Sequence, residues 1–316
     1  MTNAFVFPGQ GSQAVGMGKA LAEAFPESAA VFDAVDEALG EKLSSLIWDG
    51  PESDLMLTRN AQPALMAVSL AAIRALEAQG ITVPTHAAFV AGHSLGEYSA
   101  LAAAGSLTLA DTARLLRIRG DAMQEAVPVG EGAMAAILGL EVEAARDIAE
   151  SAGQGDVCAA ANDNAPGQVV VSGTRAAVER AIDIAKARGA RHAMLLPVSA
   201  PFHCMLMAPA AEVMADALAA IDIEKPAVPI VVNVLAEPLE DPAQIRQRLV
   251  EQVTGAVRWR ESVEWMAAHG VTRLVETGAG KVLSGLARRI SPELTGVAAG
   301  TPDDITKVAE ALTLDT

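Results

Sequence analysis

Two hydrophobic rhythms alternate along this chain. Residues 4–7 form a short, continuous apolar run that ends in the polar, glycine-rich Pro8-Gly9-Gln10-Gly11-Ser12-Gln13, the pattern of a buried strand running into a turn. Helical spacing follows at 17–24 and again at 63–79, a mostly apolar stretch with Arg74 and Glu77 on one side. A second strand is expected at 87–91, then a sharp turn and helices at 97–104 and 109–123. Toward the C-terminus, helices at 208–220, 244–253, 263–268 and 281–290 interleave with strands at 230–234 and 273–275. Strands alternating with helices predict a parallel sheet covered on both faces.

Between these stretches the period changes. Residues 134–138 read as strand, 141–152 as helix, 157–161 and 169–172 as two strands, 175–188 as helix and 193–198 as strand. The two middle strands are joined by the turn-rich Asn162-Asp163-Asn164-Ala165-Pro166-Gly167. The order β-α-β-β-α-β is that of a ferredoxin-like unit. The expected architecture is an α/β core of residues 1–130 and 199–316 into which a ferredoxin-like lobe, residues 131–198, is inserted.

Composition narrows the function classes. Hydrophobic residues make up 51% of the chain but aromatics only 3%, so small aliphatic side chains must do the packing, which suits helices laid closely on a sheet. A net charge of −16 disfavours nonspecific binding to nucleic acid or anionic lipid. No apolar run reaches the ~18 residues of a membrane span, and Met1-Thr2-Asn3-Ala4 lacks the basic segment of a secretory signal. The two cysteines, Cys158 and Cys204, suit no disulfide framework and offer no metal spacing. A cytoplasmic protein without a metal is expected.

The sharpest chemical signal is Gly92-His93-Ser94-Leu95-Gly96, a G-x-S-x-G between an expected strand and an expected helix. So tight a turn admits only small neighbours, lifts the serine hydroxyl above the strand end and aims the next helix's amides at the same spot. Ser94 is the candidate nucleophile and the Leu95 N–H a natural oxyanion donor. Of the five histidines, His86 and His269 lie in polar connections, His192 follows Arg191 at a strand edge, and His93 adjoins the serine. His203, in a loop just after the inserted lobe, is the candidate base. No carboxylate stands out to orient it. Helical periodicity places Arg119 on the apolar stripe with Thr112, Leu115, Ala122 and Met123, so its charge needs an anion: a substrate carboxylate or an internal Asp or Glu. Gly278-Ala279-Gly280-Lys281 fails the phosphate-loop pattern and reads as a strand-to-helix turn.

Ordered together, these segments resemble one family along nearly the whole chain: malonyl-CoA:acyl carrier protein transacylases and the acyltransferase domains of fatty-acid and polyketide synthases. The resemblance is carried by Phe7–Gln13, Gln62-Pro63-Ala64-Leu65, Gly92–Glu97, Arg119-Gly120 with Met123-Gln124, Asn162 with Asn164–Gln168, Ser199–Cys204, and Glu276-Thr277-Gly278 with Gly280–Leu283. It implies an α/β-hydrolase-like core and a ping-pong transfer of a malonyl group from malonyl-CoA to the pantetheine thiol of acyl carrier protein, supplying extender units for fatty-acid synthesis. It implies Ser94 as the acylated residue, His203 as its base, Gln10 and Leu95 as oxyanion-hole amides and Arg119 as the malonyl clamp. Asn162 and Phe202 would border the substrate, Phe202 standing where malonyl-selective domains often carry Phe. A backbone carbonyl at Arg258, in Ala256-Val257-Arg258-Trp259, would orient His203. No cofactor is implied beyond the coenzyme A thioester that is the substrate.

Acyl carrier proteins are, by the same resemblance, acidic, so docking onto a chain of −16 needs a local positive patch. Arg288 and Arg289 at one helix end, and Lys186, Arg188 and Arg191 at another, are the candidates. Two rivals stand beside transfer: hydrolysis of the same acyl-serine, and a non-catalytic scaffold for carrier proteins.

Overall fold

Alternate side chains of the first strand enter two different cores. The structure, a computed structural model, describes residues 1–314, and its first strand β1 is Asn3–Phe7. Phe5 and Phe7 pack with the long helix Thr58–Ala78, while Ala4 and Val6 pack with the helices Trp259–Ala268 and Val282–Ile290. A period of two with both faces apolar is what a strand between two helical layers requires.

The other strands are β2 (Phe89–Gly92), β3 (Gly132–Leu138), β4 (Cys158–Ala165), β5 (Gln168–Thr174), β6 (His192–Leu195), β7 (Ile230–Val232), β8 (Glu237–Leu239), β9 (Arg273–Thr277) and β10 (Thr295–Ala299). Six of them form one sheet in the order β10-β9-β1-β2-β7-β8. Its neighbours are parallel except β8, which returns antiparallel along β7. The remaining four form a separate antiparallel sheet, β4-β5-β3-β6. The helices Val142–Gly153 and Arg175–Ala187 cover one face of it around Ala135, Ile137, Ile148 and Val178. From its other face Met134 and Val170 join the main core.

Register decides where chemistry can occur. Phe7 pairs with Gly92, and the Phe7 carbonyl accepts from the His93 N–H at 3.0 Å. The turn after β1 therefore lies beside the turn after β2, at the carboxyl ends of parallel strands, where open α/β sheets bind ligands.

Several elements differ from the sequence pattern. The helix expected from 63 begins at Thr58 and holds Pro63 in its second turn, where the missing N–H removes one hydrogen bond. Residues 26–55, unassigned from the sequence, form the helices Pro26–Leu39, Leu43–Asp49 and Glu52–Leu55. Strand β6 stops at Leu195, because Leu196, Pro197 and Val198 leave the sheet to line a cavity. Beyond 290 the chain adds β10 and the helix Pro302–Thr313. Among the described residues no helix is long and apolar enough to cross a membrane.

Candidate active site

The turn from β2 into the helix Gly96–Ala103 is held by contacts that only glycine permits. A Cβ on Gly92 would stand 1.9 Å from the Gly96 carbonyl carbon, and one on Gly96 would stand 2.2 Å from the Phe7 carbonyl oxygen. Between them Ser94 takes φ 54°, a left-handed conformation that costs a non-glycine residue roughly 1–3 kcal/mol unless its surroundings enforce it. The surroundings do so from both sides. Asn233 Oδ1 accepts from the Ser94 N–H at 2.8 Å, and Gln252 Nε2 donates to the Ser94 carbonyl at 3.0 Å.

So presented, Ser94 Oγ lies 2.8 Å from His203 Nε2. His203 is itself in the left-handed region, at φ 59°. Its Nδ1 lies 2.9 Å from the Gln252 carbonyl and 3.1 Å from that of Gly255. Carbonyls only accept, so Nδ1 carries the hydrogen and Nε2 is left to accept from the serine hydroxyl. Burial, and secondarily the Arg119 charge, push the imidazole down to about 3. It is neutral at physiological pH, the state a base needs.

Arg119, 1% exposed, donates from Nη2 to Ser94 Oγ at 3.1 Å and to Gln252 Oε1 at 2.8 Å, and from Nη1 to Gln62 Oε1 at 2.7 Å. Among the described residues no carboxylate lies within ion-pair distance of it. Glu97 acts on it only through space, and Tyr98 offers its ring face at 5.7 Å. Of the two anions the sequence leaves open for Arg119, the internal one forms no ion pair with it among the described residues. A buried cation held by neutral amides beside a nucleophile leaves its charge for a ligand.

A cavity of about 380 Å³ opens over these groups, lined by Gln10, Ser94, Arg119, Asn162, Phe202 and His203 among others. Gln10 and Leu95 border it, and their backbone N–H groups donate to no group among the described residues. A serine-histidine pair, two free amides and a bare cation in one cavity are the parts of an acyl-transfer site. The acyl transferase domain family matches residues 4–285. A malonyl CoA-acyl carrier protein transacylase of Bacillus subtilis is 47% identical over 310 residues, 98% of this chain and 96% of the relative. A solved acyl-carrier-protein-S-malonyltransferase from Bartonella henselae is similar at TM-score 0.97 and 54% identity, over 99% of this chain and 100% of that one. A malonyl-transacylase solved in complex with a type II PKS acyl-carrier protein is similar at TM-score 0.95 and 42% identity, over 98% of this chain and 100% of that one.

The chain belongs to the acyl transferase family.

In this acyl transferase one expected site residue lies elsewhere. The Arg258 carbonyl does not reach His203. It caps the helix Trp259–Ala268, accepting from the Ser262 N–H and Ser262 Oγ, both at 2.9 Å. The Arg258 side chain pairs with Glu261 and donates to the Val234 and Leu235 carbonyls, away from the cavity. The carbonyls at 252 and 255, on the preceding turn, hold the imidazole instead. His93, expected only as a neighbour of the serine, borders the cavity and meets Asn164 Oδ1 at 2.8 Å through Nε2. Cys204 is buried against the Pro201 carbonyl, and burial pushes its thiol up, which disfavours the thiolate a nucleophile needs.

Asn233, Gln252 and Gln62 carry much of the geometry. Only Gln62 lies in a segment the sequence singles out, and nothing in local pattern marks the other two. Arg288, Arg289 and Arg191 are exposed and stand outside the cavity lining.

Proposed function

We propose that this protein transfers the malonyl group of malonyl-CoA to the pantetheine thiol of acyl carrier protein through a malonyl ester on Ser94. The observation that carries the reading is the buried Arg119 guanidinium, without a carboxylate partner, 3.1 Å from the Ser94 hydroxyl. A hydrolase for neutral acyl groups has no use for a desolvated cation at the nucleophile. A carboxylated acyl group does, and both the Bacillus subtilis and Bartonella henselae relatives are named for malonyl transfer.

The steps follow from the atoms. His203 Nε2 takes the Ser94 proton as Oγ attacks the thioester carbonyl. The Gln10 and Leu95 amides receive the oxyanion, and one such donor is typically worth about 3 kcal/mol. The C–S bond breaks, and the proton held by His203 goes to the coenzyme A sulfur. In the second half the pantetheine thiol of the carrier gives its proton to His203 and attacks the ester carbonyl; the acyl C–O bond then breaks and His203 returns the proton to Ser94 Oγ. Arg119 holds the malonyl carboxylate throughout, while Asn162 and Phe202 bound the acyl pocket. The reaction needs no cofactor beyond the thioester substrate.

The elbow between a parallel strand and a helix supports an α/β-hydrolase-like description of residues 1–130 and 199–316. The strand order of the antiparallel sheet, with two helices on one face, supports a ferredoxin-like lobe over 131–198. Arg288, Arg289 and Arg191 are the proposed contacts for the acidic carrier. Supplying extender units for fatty-acid synthesis in the cytoplasm is the setting that fits.

The test is intact-protein mass spectrometry after mixing with malonyl-, acetyl- and methylmalonyl-CoA. A malonyl adduct that maps to Ser94, disappears in Ser94→Ala and is discharged by a pantetheine thiol is expected. A malonyl adduct on Cys204, or one discharged by water as fast as by the thiol, overturns the reading.

A further inference from the structure

Glu97 is fully buried, and the mechanism above makes no use of it. It is the second residue of the helix that follows the nucleophile. A glutamate there is often only a favourable charge at a helix start, exposed to water. This one is committed to distant parts of the chain. Its Oε2 accepts from the backbone N–H of Asn233 at 3.0 Å and from Nε2 of Gln252 at 2.9 Å. Its Oε1 has no hydrogen-bond partner among the described residues.

Both donors lead directly to the reacting groups. The Asn233 side chain accepts the Ser94 N–H, and Gln252 Nε2 also donates to the Ser94 carbonyl. Gln252 further accepts Arg119 Nη2 on Oε1 and His203 Nδ1 on its carbonyl. One carboxyl oxygen thus anchors the two residues that grip the strained serine on both sides, and one of those two also holds the base and the clamp. Without that oxygen, the Asn233 N–H would be buried with no acceptor, and Gln252 Nε2 would keep only the Ser94 carbonyl and a long 3.4 Å contact to Asn233 Oδ1, a state that drives side chains to new positions.

We propose that Glu97 is a positioning residue for acyl transfer, holding Asn233 and Gln252 so that Ser94, His203 and Arg119 keep their reactive geometry. The proposal rests on the roles given to those three residues above.

The readouts are the single-turnover acylation rate with malonyl-CoA and the rate of Ser94 labelling by a neutral serine-directed phosphonate, each per folded protein. In Glu97→Ala both rates are expected to fall about 10²-fold, the usual cost of roughly 1 Å of misplacement, with the KM for malonyl-CoA changed much less. Glu97→Gln keeps an acceptor oxygen at the Oε2 position and is expected to recover most of both rates. A folded Glu97→Ala that reacts like wild type, or a Glu97→Gln as slow as Glu97→Ala, overturns the proposal. Should Glu97→Ala not fold, Asn233→Ala leaves the carboxyl in place and cuts its link to the Ser94 amide. The same loss of both rates is then expected, and wild-type rates in folded Asn233→Ala overturn the proposal. A wild type that takes no malonyl group yet reacts with the phosphonate faster than Glu97→Ala sinks malonyl transfer and sustains the positioning role.

Discussion

Arg119 Nη2 donates to Ser94 Oγ at 3.1 Å, so the cation proposed to read the acyl group touches the atom proposed to attack it. That contact fixes how far from the reacting carbonyl a substrate charge can sit. In a malonyl group the carboxylate is one methylene from the thioester carbonyl; in a succinyl group it is two. Malonyl-CoA is therefore expected to acylate Ser94 faster than succinyl-CoA or acetyl-CoA. Arg119→Ala should lower the malonyl-to-acetyl preference by about 10²-fold, the scale of one lost charged hydrogen bond. Arg119→Lys should lose most of it too, because the single ammonium nitrogen cannot occupy the two separate places from which Nη1 meets Gln62 and Nη2 meets Gln252, nor offer a carboxylate a planar fork. Competition between the two thioesters, read by adduct mass, gives the ratio directly.

The elbow makes a stability prediction with an internal control. Gly96→Ala drives a Cβ to 2.2 Å from the Phe7 carbonyl oxygen, a backbone atom that cannot swing aside. A loss of about 3 kcal/mol or more is expected, at the upper end of overpacking costs. Gly285, on the exposed side of the helix Val282–Ile290, has no atom of the described residues beyond its chain neighbours and its own helix backbone within 4 Å of its would-be Cβ. Gly285→Ala should stabilise by roughly 0.5–1 kcal/mol through helix propensity alone. Denaturant melts of the two variants should move in opposite directions.

His203 predicts a pH dependence of folding. Its imidazole titrates near 3 when folded, chiefly because it is buried, against an ordinary value near 6.5 in the unfolded chain. Between those values the unfolded state binds more protons, so stability is full above about 6.5 and declines as pH falls, by about 1.4 kcal/mol per unit for one such group. In His203→Gln this contribution is absent. The stability gap between wild type and His203→Gln should therefore shift in favour of the variant as pH drops from 6.5 to 5. A gap that stays constant over that range would mean that the folded imidazole titrates as the unfolded one does, and a shift in favour of the wild type would mean that it is already charged.

Arg289 and Arg191, far apart in the chain, are linked through one turn. Arg289 Nη1 donates to Gln168 Oε1 at 2.9 Å. The Gly139 N–H, one residue after Leu138, the strand partner of Gln168, bonds the Gly167 carbonyl, and Gly139 packs against Arg191. The turn bearing Gly167 follows Asn164, which borders the cavity. Arg288→Glu with Arg289→Glu should raise the KM for acyl carrier protein and leave acylation by malonyl-CoA nearly unchanged. The transfer step of the double variant should also lose salt dependence, since long-range steering is what salt screens. Identical salt curves for the two proteins would place the carrier elsewhere.

What the sequence determined by itself is what local rules can carry. The apolar run of β1 reads as a strand buried on both faces, because period and composition are properties of a few adjacent residues. The Ser94 elbow is visible for the same reason: its glycines are needed within two residues of the serine. Arg119 is legible as a buried cation from helical spacing alone, though not its partner. Tertiary structure decided the rest. Asn233 and Gln252 reach the Ser94 backbone across 139 and 158 residues, so no window of sequence contains the reason for them. Glu97 sits in a recognisable motif, yet its acceptor role exists only once those two residues arrive beside it. The orienter of His203 was beyond reach for a chemical reason. A backbone carbonyl is the same group at every position, so the identity of residues 252, 255 or 258 says nothing about which one points at the imidazole. Only the path of the chain between the helices Pro242–Gln252 and Trp259–Ala268 turns the carbonyls of Gln252 and Gly255 toward it and commits that of Arg258 to a helix cap.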